Sequence, residues 1–147
     1  MIIKPLHLPT DSNELVRLHL SINGEDTDEN VIQFYLEYGG DVWVVHFEGK
    51  IIGFSALSKC LWNKISIIEG MAIDKKFQNR GFGKNLLDFV VKHAKHRGDR
   101  FITVQTATWN KKGIKFYERE GFVSKIVFEK YFGNEIDMVW LEMKLNE

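Results

Sequence analysis

The sequence predicts an α/β fold built on a mixed, mostly antiparallel sheet flanked by helices, in the order β-α-α-β-β-β-α-β-α-β-β. Three observations lead there. Short runs rich in Val, Ile, Phe and Tyr alternate with segments whose apolar residues recur at helical spacing. Two pairs of strand-like runs are joined by tight glycine-bearing turns, at Glu48-Gly49-Lys50 and at Gly133-Asn134, which imply antiparallel hairpins. From the strand after the first hairpin onward, strand-like and helical runs alternate until the closing hairpin, the pattern of an α/β chain.

Each element can be read in turn. "MIIKPLHL" is a short strand. Asp11 or Ser12 caps a helix through "ELVRLHLSI", where Leu15, Leu18 and Ile22 share one face. Thr27 caps a second helix, "DENVIQFYLEY", which Gly39-Gly40 stop. "DVWVVHFEGKIIGFSALS" is a hairpin, and "SIIEGMAID" is the next strand, where Gly70 suggests a bulge or a close backbone approach. "KNLLDFVVKHAKHR" is a helix with Leu86, Leu87, Val90, Val91 and Ala94 on its buried face; cations in its last turn and Gly98 beyond them end it. "FITVQTAT" is a strand, "KKGIKFYERE" a helix stopped by Gly121, and "FVSKIVFEKYF" with "EIDMVWLEMKL" the closing hairpin.

Composition narrows the function. At 147 residues the chain is expected to be one domain spanning 1–147, and a chain of that size buries roughly 70% of its unfolded surface. Net charge is zero, which argues against a nucleic-acid partner held by bulk charge. No apolar run nears the roughly 20 residues of a membrane span. Cys60 is the only cysteine, so no internal disulfide forms; with no signal pattern at the start, the cytoplasm is the expected compartment. No motif surrounds Cys60, so an inert residue is the simpler reading. The histidines are scattered without ligand spacing, so no metal is expected.

The informative stretch is "MAIDKKFQNRGFGKNLL". Glycines between a strand and a helix let something approach the backbone, and three phosphate-cradling patterns compete. A Walker loop aligned on Gly83-Lys84 needs glycine where Gln78 stands and Ser or Thr where Asn85 stands. A dinucleotide fingerprint starting at Gly81 needs glycine where Leu86 stands. The pattern [QR]-x-x-G-x-[GA] is met in full by Gln78-Asn79-Arg80-Gly81-Phe82-Gly83. Downstream, "WNKKGIKFYEREGF" has the spacing N-x(6)-Y-x-x-x-G-F.

Together these resemble the two motifs of the GNAT superfamily, the N-acyltransferases that use acetyl-CoA. With the "MAID" strand and the closing "DMVWLEMKL", the resemblance covers nearly the whole chain and implies a GNAT-like fold. It implies that backbone N–H groups from Gln78, Asn79, Arg80, Gly81, Phe82, Gly83 and Lys84 hold the pyrophosphate of acetyl-CoA, a co-substrate. A helix N-terminus suits such an anion, and Gly81 and Gly83 keep a Cβ out of the way. Arg80 and Lys84 could add charge. The resemblance also places Met71, Ala72 and Ile73 on the cofactor, with the Met71 N–H facing the developing oxyanion and Ile73 bonding the pantetheine arm. Asn110 would bond near the pantetheine, a role compatible with capping the next helix. Tyr117 would protonate the departing thiolate; packing on the sheet is its structural alternative.

For the base, Glu69 on the same strand is the first choice; a water relay, or a solvent-facing glutamate with no role, stays open. His46, His93 and His96 are weaker choices, the last two being better read as helix-end cations. The expected reaction is direct attack of a primary amine on acetyl-CoA. Glu25, Asp26, Asp28 and Glu29 in "NGEDTDEN" favour a small cationic amine, unless they serve only to complement a helix dipole. Tyr35, Trp43, Trp62, Trp109, Tyr131 and Phe132 are numerous enough to line a pocket, though core packing explains most of them. Two alternatives stand beside this: acetylation of a protein or peptide N-terminal amino group, which "KYF" faintly suggests although Phe132 lacks a hydroxyl, and a non-catalytic acyl-CoA-binding or sensing domain. A homodimer is left open.

Overall fold

The computed structural model describes residues 1–8, 10–23, 35, 40–133 and 135–147. They form β1 (Ile2–Pro5), α1 (Ser12–Asn23), β2 (Asp41–Phe47), β3 (Lys50–Cys60), β4 (Ile65–Ile73), α2 (Phe82–His96), β5 (Phe101–Ala107), α3 (Lys111–Arg119), β6 (Val123–Phe128) and β7 (Met138–Lys144), with a 3₁₀ turn at Lys75–Phe77 before α2. The strands make one sheet in the order β1-β2-β3-β4-β5-β7-β6. Only β4 and β5 run parallel; every other neighbouring pair is antiparallel. The mixed, mostly antiparallel α/β fold expected from the sequence is the one found.

Local chemistry explains most boundaries. Asp11 is the cap of α1: its carbonyl takes the Leu15 N–H at 3.0 Å, and its carboxylate takes the His7 N–H at 2.8 Å. The helix expected over 28–38 and the acidic loop with Glu25, Asp26, Asp28 and Glu29 lie outside the described residues, except for Tyr35, which is helical and buried. The β2–β3 turn needs only Glu48 and Gly49, with φ of 49° and 74°; Lys50 already pairs with Phe47. Two successive positive φ values match the twist of the flanking strands. The closing hairpin is wider than the expected turn at Gly133, because the strands stop at Phe128 and resume at Met138. Between them Asp137 accepts the Lys130 N–H at 2.9 Å, which folds the connection on itself.

The sheet has a core on each face. One holds Leu86, Leu87 and Val90 of α2 against Ile102 and Leu141; the other holds Leu15 and Leu18 of α1 with Tyr35 and Phe54. Truncating a fully buried leucine such as Leu86 to alanine costs about 2–5 kcal/mol. At the end of α2, Arg97 and Gly98 (φ 83°) terminate the helix as expected. The cations there also make specific bonds: His93 meets Asp41 at 3.0 Å, and Arg97 clamps buried Asp99 at 2.7 Å, which Ser66 also bonds.

Two irregularities in the sheet fall close together on β4. Ala56 pairs with Gly70 but Leu57 pairs with Ile68, so Glu69 is an extra residue bulged out of the strand. The parallel pairing of β4 with β5 runs only from Ile65–Phe101 to Ile68–Val104. The two strands therefore part where the bulge begins.

Candidate active site

The turn entering α2 is braced by side chains and leaves its backbone open. Asp74 accepts the Lys76 N–H at 3.0 Å and the Arg17 guanidinium at 2.8 Å. Gln78 donates to the Ile73 carbonyl at 2.9 Å and accepts from Lys112 at 2.8 Å, tying the turn to β4 and α3. Asn79 and Gly81 take positive φ, 59° and 84°. The Gln78 N–H, expected in the donor row, instead bonds the Lys75 carbonyl at 3.4 Å; from Asn79 to Lys84 no backbone N–H donates to an acceptor among the described residues, and Asn85 is the next to do so, to the Gly81 carbonyl at 3.0 Å. These consecutive donors stand at the positive end of α2, an arrangement that suits a phosphate or pyrophosphate.

The side chains here divide their roles. A Cβ on Gly81 would enter open space, whereas a Cβ on Gly83 would lie 3.7 Å from the Phe116 ring and 3.8 Å from Ile73. Both are ordinary contact distances, so α3 would accept a methyl group at Gly83 and close packing does not demand the glycine. The Phe82 ring is buried, and the Arg80 guanidinium lies 5.4–5.5 Å above the rings of Phe47, Phe77 and Phe82. Lys84 is not a free charge: it meets Asp88 and Glu120, each at 3.1 Å, and those bonds push its ammonium pKa up.

On β4 the ladder decides which backbone groups are available. The Asp74 N–H bonds the Ile52 carbonyl at 2.7 Å. Bonded pairs alternate along an antiparallel ladder, so Ala72 and Gly70 direct their backbone groups at β3, while Met71 and Ile73 direct theirs at the gap where β5 has parted. The Ile73 carbonyl takes the Gln78 amide there, which leaves the Met71 and Ile73 N–H groups facing the gap. Of the three residues expected along the cofactor, Ala72 offers no backbone group to that edge, and its side chain packs toward α1.

Asn110 caps α3: it accepts the Gly113 N–H at 3.1 Å and donates to Thr106 at 2.9 Å. Tyr117 is buried between Phe116 and Phe122, with ring centroids 5.2 and 5.3 Å away. Burial pushes its phenol pKa well up, so the proton stays on at neutral pH. Its hydroxyl has no hydrogen-bond partner among the described residues.

Glu69 lines a cavity of about 380 Å³ with Ile67 and Ile68 of β4, Gln105 of β5, His19 of α1, Tyr35 and Phe132. Ser58 donates to its carboxylate at 2.6 Å. Tyr117 does not line this cavity. It belongs to the core under α2, and Tyr35 to the core under α1, so Glu69 and Tyr117 stand on opposite faces of the sheet. His46, His93 and His96 do not line it either. Trp62 and Trp109 are exposed and Trp43 is core, so of the aromatics expected to form a pocket only Tyr35 and Phe132 reach the cavity. Sequence reasoning missed His19, Ser58 and Gln105. His19 carried one signal: it is four residues beyond Leu15, on the buried face of α1. Among the described residues no cluster of three His, Cys, Asp or Glu could hold a metal, and no helix is long and apolar enough to cross a membrane.

Among known proteins, the acetyltransferase (GNAT) family profile matches residues 12–122 of the chain. The chain is 31% identical over 126 residues to the glucosamine 6-phosphate N-acetyltransferase of Arabidopsis thaliana, covering 77% of this chain and 83% of that one. It is 33% identical over 91 residues to an uncharacterized N-acetyltransferase of Methanocaldococcus jannaschii, covering 58% of this chain and only 40% of that relative's length. Among solved structures it superposes on an IAA acetyltransferase from Bacillus cereus with a TM-score of 0.80 at 25% identity, over 98% of this chain and 99% of that one.

Proposed function

We propose, from the premise that this chain belongs to the acetyltransferase (GNAT) family, that it moves an acetyl group from acetyl-CoA to a small primary amine by direct attack. The observation that carries this reading is the row of unbonded N–H groups from Asn79 to Lys84 at the start of α2. That donor set fits a pyrophosphate, and the Met71 and Ile73 N–H groups at the β4 edge fit an extended amide-bearing arm lying in the gap. Acetyl-CoA supplies the acetyl group as a thioester, from which sulfur departs as the new C–N bond forms.

The chain's own residues supply the rest. The Met71 N–H steadies the negative charge that develops on the carbonyl oxygen, and it is fixed in place before the reaction by the ladder on its other side. Glu69 accepts a proton from the ammonium form of the acceptor, whose free pKa near ~10 keeps it from attacking at neutral pH. Tyr117 gives its phenol proton to the departing sulfur, and the second proton, which the nitrogen sheds as the amide forms, restores the phenol. Because Glu69 and Tyr117 stand on opposite faces of the sheet, the amine enters from the α1 side and the sulfur leaves on the α2 side, through the gap between β4 and β5.

The cavity beside Glu69 suits a small cationic head. A protein N-terminal amine is the second reading, supported by Phe132 at the cavity and exposed Tyr131 beside it, which a longer acceptor would cross. A mass-spectrometric screen of primary amines and short peptides with acetyl-CoA tests both. Acetylated small amines support the first reading; acetylation confined to peptide N-termini replaces it with the second. Acetyl-CoA binding without transfer to any acceptor would leave a non-catalytic binding domain.

A further inference from the structure

We propose that His19 and Tyr35 form part of the acceptor site, the Tyr35 hydroxyl donating to His19 Nδ1 and turning its oxygen lone pairs, beside the Glu69 carboxylate, toward the N–H groups of a primary ammonium. This rests on the proposed acetylation of an amine here, and it names what would recognise the amine.

The two side chains are hydrogen-bonded, Nδ1 to hydroxyl, and their rings meet edge-on at 5.4 Å. Both are buried, and both line the cavity with Glu69. The Tyr35 ring is anchored against Phe54 at 5.5 Å. Its hydroxyl sits over the bulge of β4: a Cβ on Gly70 would lie 2.5 Å from that oxygen. The glycine thus makes room for the phenol between Glu69 and Met71. Burial lowers the His19 pKa, which favours the neutral imidazole and leaves one ring nitrogen as an acceptor. Burial and then the Glu69 charge raise the Tyr35 pKa, so the phenol keeps its proton.

With that proton directed at Nδ1, the polar wall formed by Tyr35 and Glu69 presents acceptors. Glu69 has none to donate as a carboxylate, and Ser58 already gives it one hydrogen bond from behind. A primary ammonium brings three donors and no acceptor, which matches such a wall; an alcohol of the same shape brings one donor and a lone pair. Tyr35 touches the acceptor in this arrangement. His19 is a positioning residue that acts through Tyr35.

The test has an arm that needs no turnover. n-Butylammonium, with n-butanol as the uncharged control, is titrated into the unmodified chain and into Tyr35→Phe, His19→Leu and the double variant, with binding read by NMR. The unmodified chain should bind the ammonium and not the alcohol. Each single variant should weaken ammonium binding by about 10- to 100-fold, the size of one hydrogen bond to a charged group. The double variant should lose no more than Tyr35→Phe alone, because His19 acts through the phenol. Absent binding by the unmodified chain, unchanged binding by Tyr35→Phe, or losses that simply add would each overturn the proposal. The ring ¹⁵N spectrum of His19 in the unmodified chain is independent of how any variant folds. It should show Nδ1 unprotonated, and a protonated Nδ1 reverses the bond and overturns the proposal. The second arm is steady-state acetylation of n-butylamine, where Tyr35→Phe should raise the amine KM and leave the acetyl-CoA KM unchanged; an equal rise in both overturns it. If the ammonium binds in a Tyr35-dependent way while the unmodified chain neither binds acetyl-CoA nor transfers an acetyl group, the acetyltransferase reading fails and the ammonium site stands.

Discussion

Replacing Tyr117 by phenylalanine separates a chemical role from a packing role. The variant keeps the ring that packs between Phe116 and Phe122 and removes one oxygen. That oxygen has no hydrogen-bond partner among the described residues, so its loss strands no donor or acceptor. The usual cost of a deleted protein hydrogen bond, about 0.5–1.5 kcal/mol, should therefore be absent, and stability should stay about level. Turnover should respond very differently. Burial holds the phenol protonated at neutral pH, as a proton donor must be. If it protonates the departing sulfur, its loss should lower kcat by about 10²–10⁴. Acetyl-CoA affinity should change much less, because the hydroxyl acts on charge formed only in the transition state. The assays are denaturant unfolding, calorimetric titration of acetyl-CoA and steady-state turnover on one preparation. Near-parental kcat would show that Tyr117 only packs. A large loss of affinity with little loss of kcat would make it a binding residue and refute the acid role.

The remaining predictions concern the cradle, the base and pH. Gly81→Val places a β-branched residue at φ 84°, a strain of about 1–2 kcal/mol, and puts its side chain where the open donors face; acetyl-CoA affinity measured by calorimetry should fall at least about tenfold, and unchanged affinity in a folded variant would refute the phosphate cradle. Gly83→Ala meets only ordinary contacts and should leave stability level or slightly raised in thermal unfolding; a clear loss would show that α3 needs the glycine. Glu69→Gln should slow turnover most at neutral pH and less at high pH, where free amine is abundant; a pH–rate profile like the parent's would leave a water relay as the base. His19 has a folded-state pKa below its ordinary value, so below about pH 6.5 the unfolded chain takes up a proton that the folded chain resists. Its contribution is present above that pH and lost as pH falls. Unfolding free energies at pH 5 and 7.5 should differ less in His19→Gln than in the parent.

Much of this architecture was legible because its signals are local. The hairpin at Glu48-Gly49, the stops at Gly98 and Gly121 and the donor row after Gln78 each arise from a few adjacent residues. What was not legible depends on residues far apart in the chain. Lys84 reads as a spare cation until Glu120 is brought beside it. That Gly83 lies within contact distance of Phe116 is likewise visible only once α3 is in place. The cavity draws its wall from α1, Tyr35, β4, β5 and Phe132, so no window of sequence contains it. His19 was overlooked because a histidine on a buried helix face carries no spacing motif.

Gly70 was the informative exception, since a glycine within a strand flags a bulge or a close approach, and here it marks both. The effect of that bulge can be read from which core each residue joins. Ile68 and Ile73 both pack under α2, and Ala72 packs under α1. In a regular strand residues five apart point to opposite faces, so the shared face of Ile68 and Ile73 requires one extra residue between them. Glu69 is that residue. Its insertion puts Glu69 beside Gly70 on the α1 side, where the carboxylate meets Ser58 and the glycine admits the Tyr35 hydroxyl. Beyond it Met71 and Ile73 turn their N–H groups to the gap that β5 has left. A single inserted residue therefore puts the Glu69 carboxylate on the α1 face while the Met71 side chain, two residues on, lies on the α2 face and its N–H points between them into the gap.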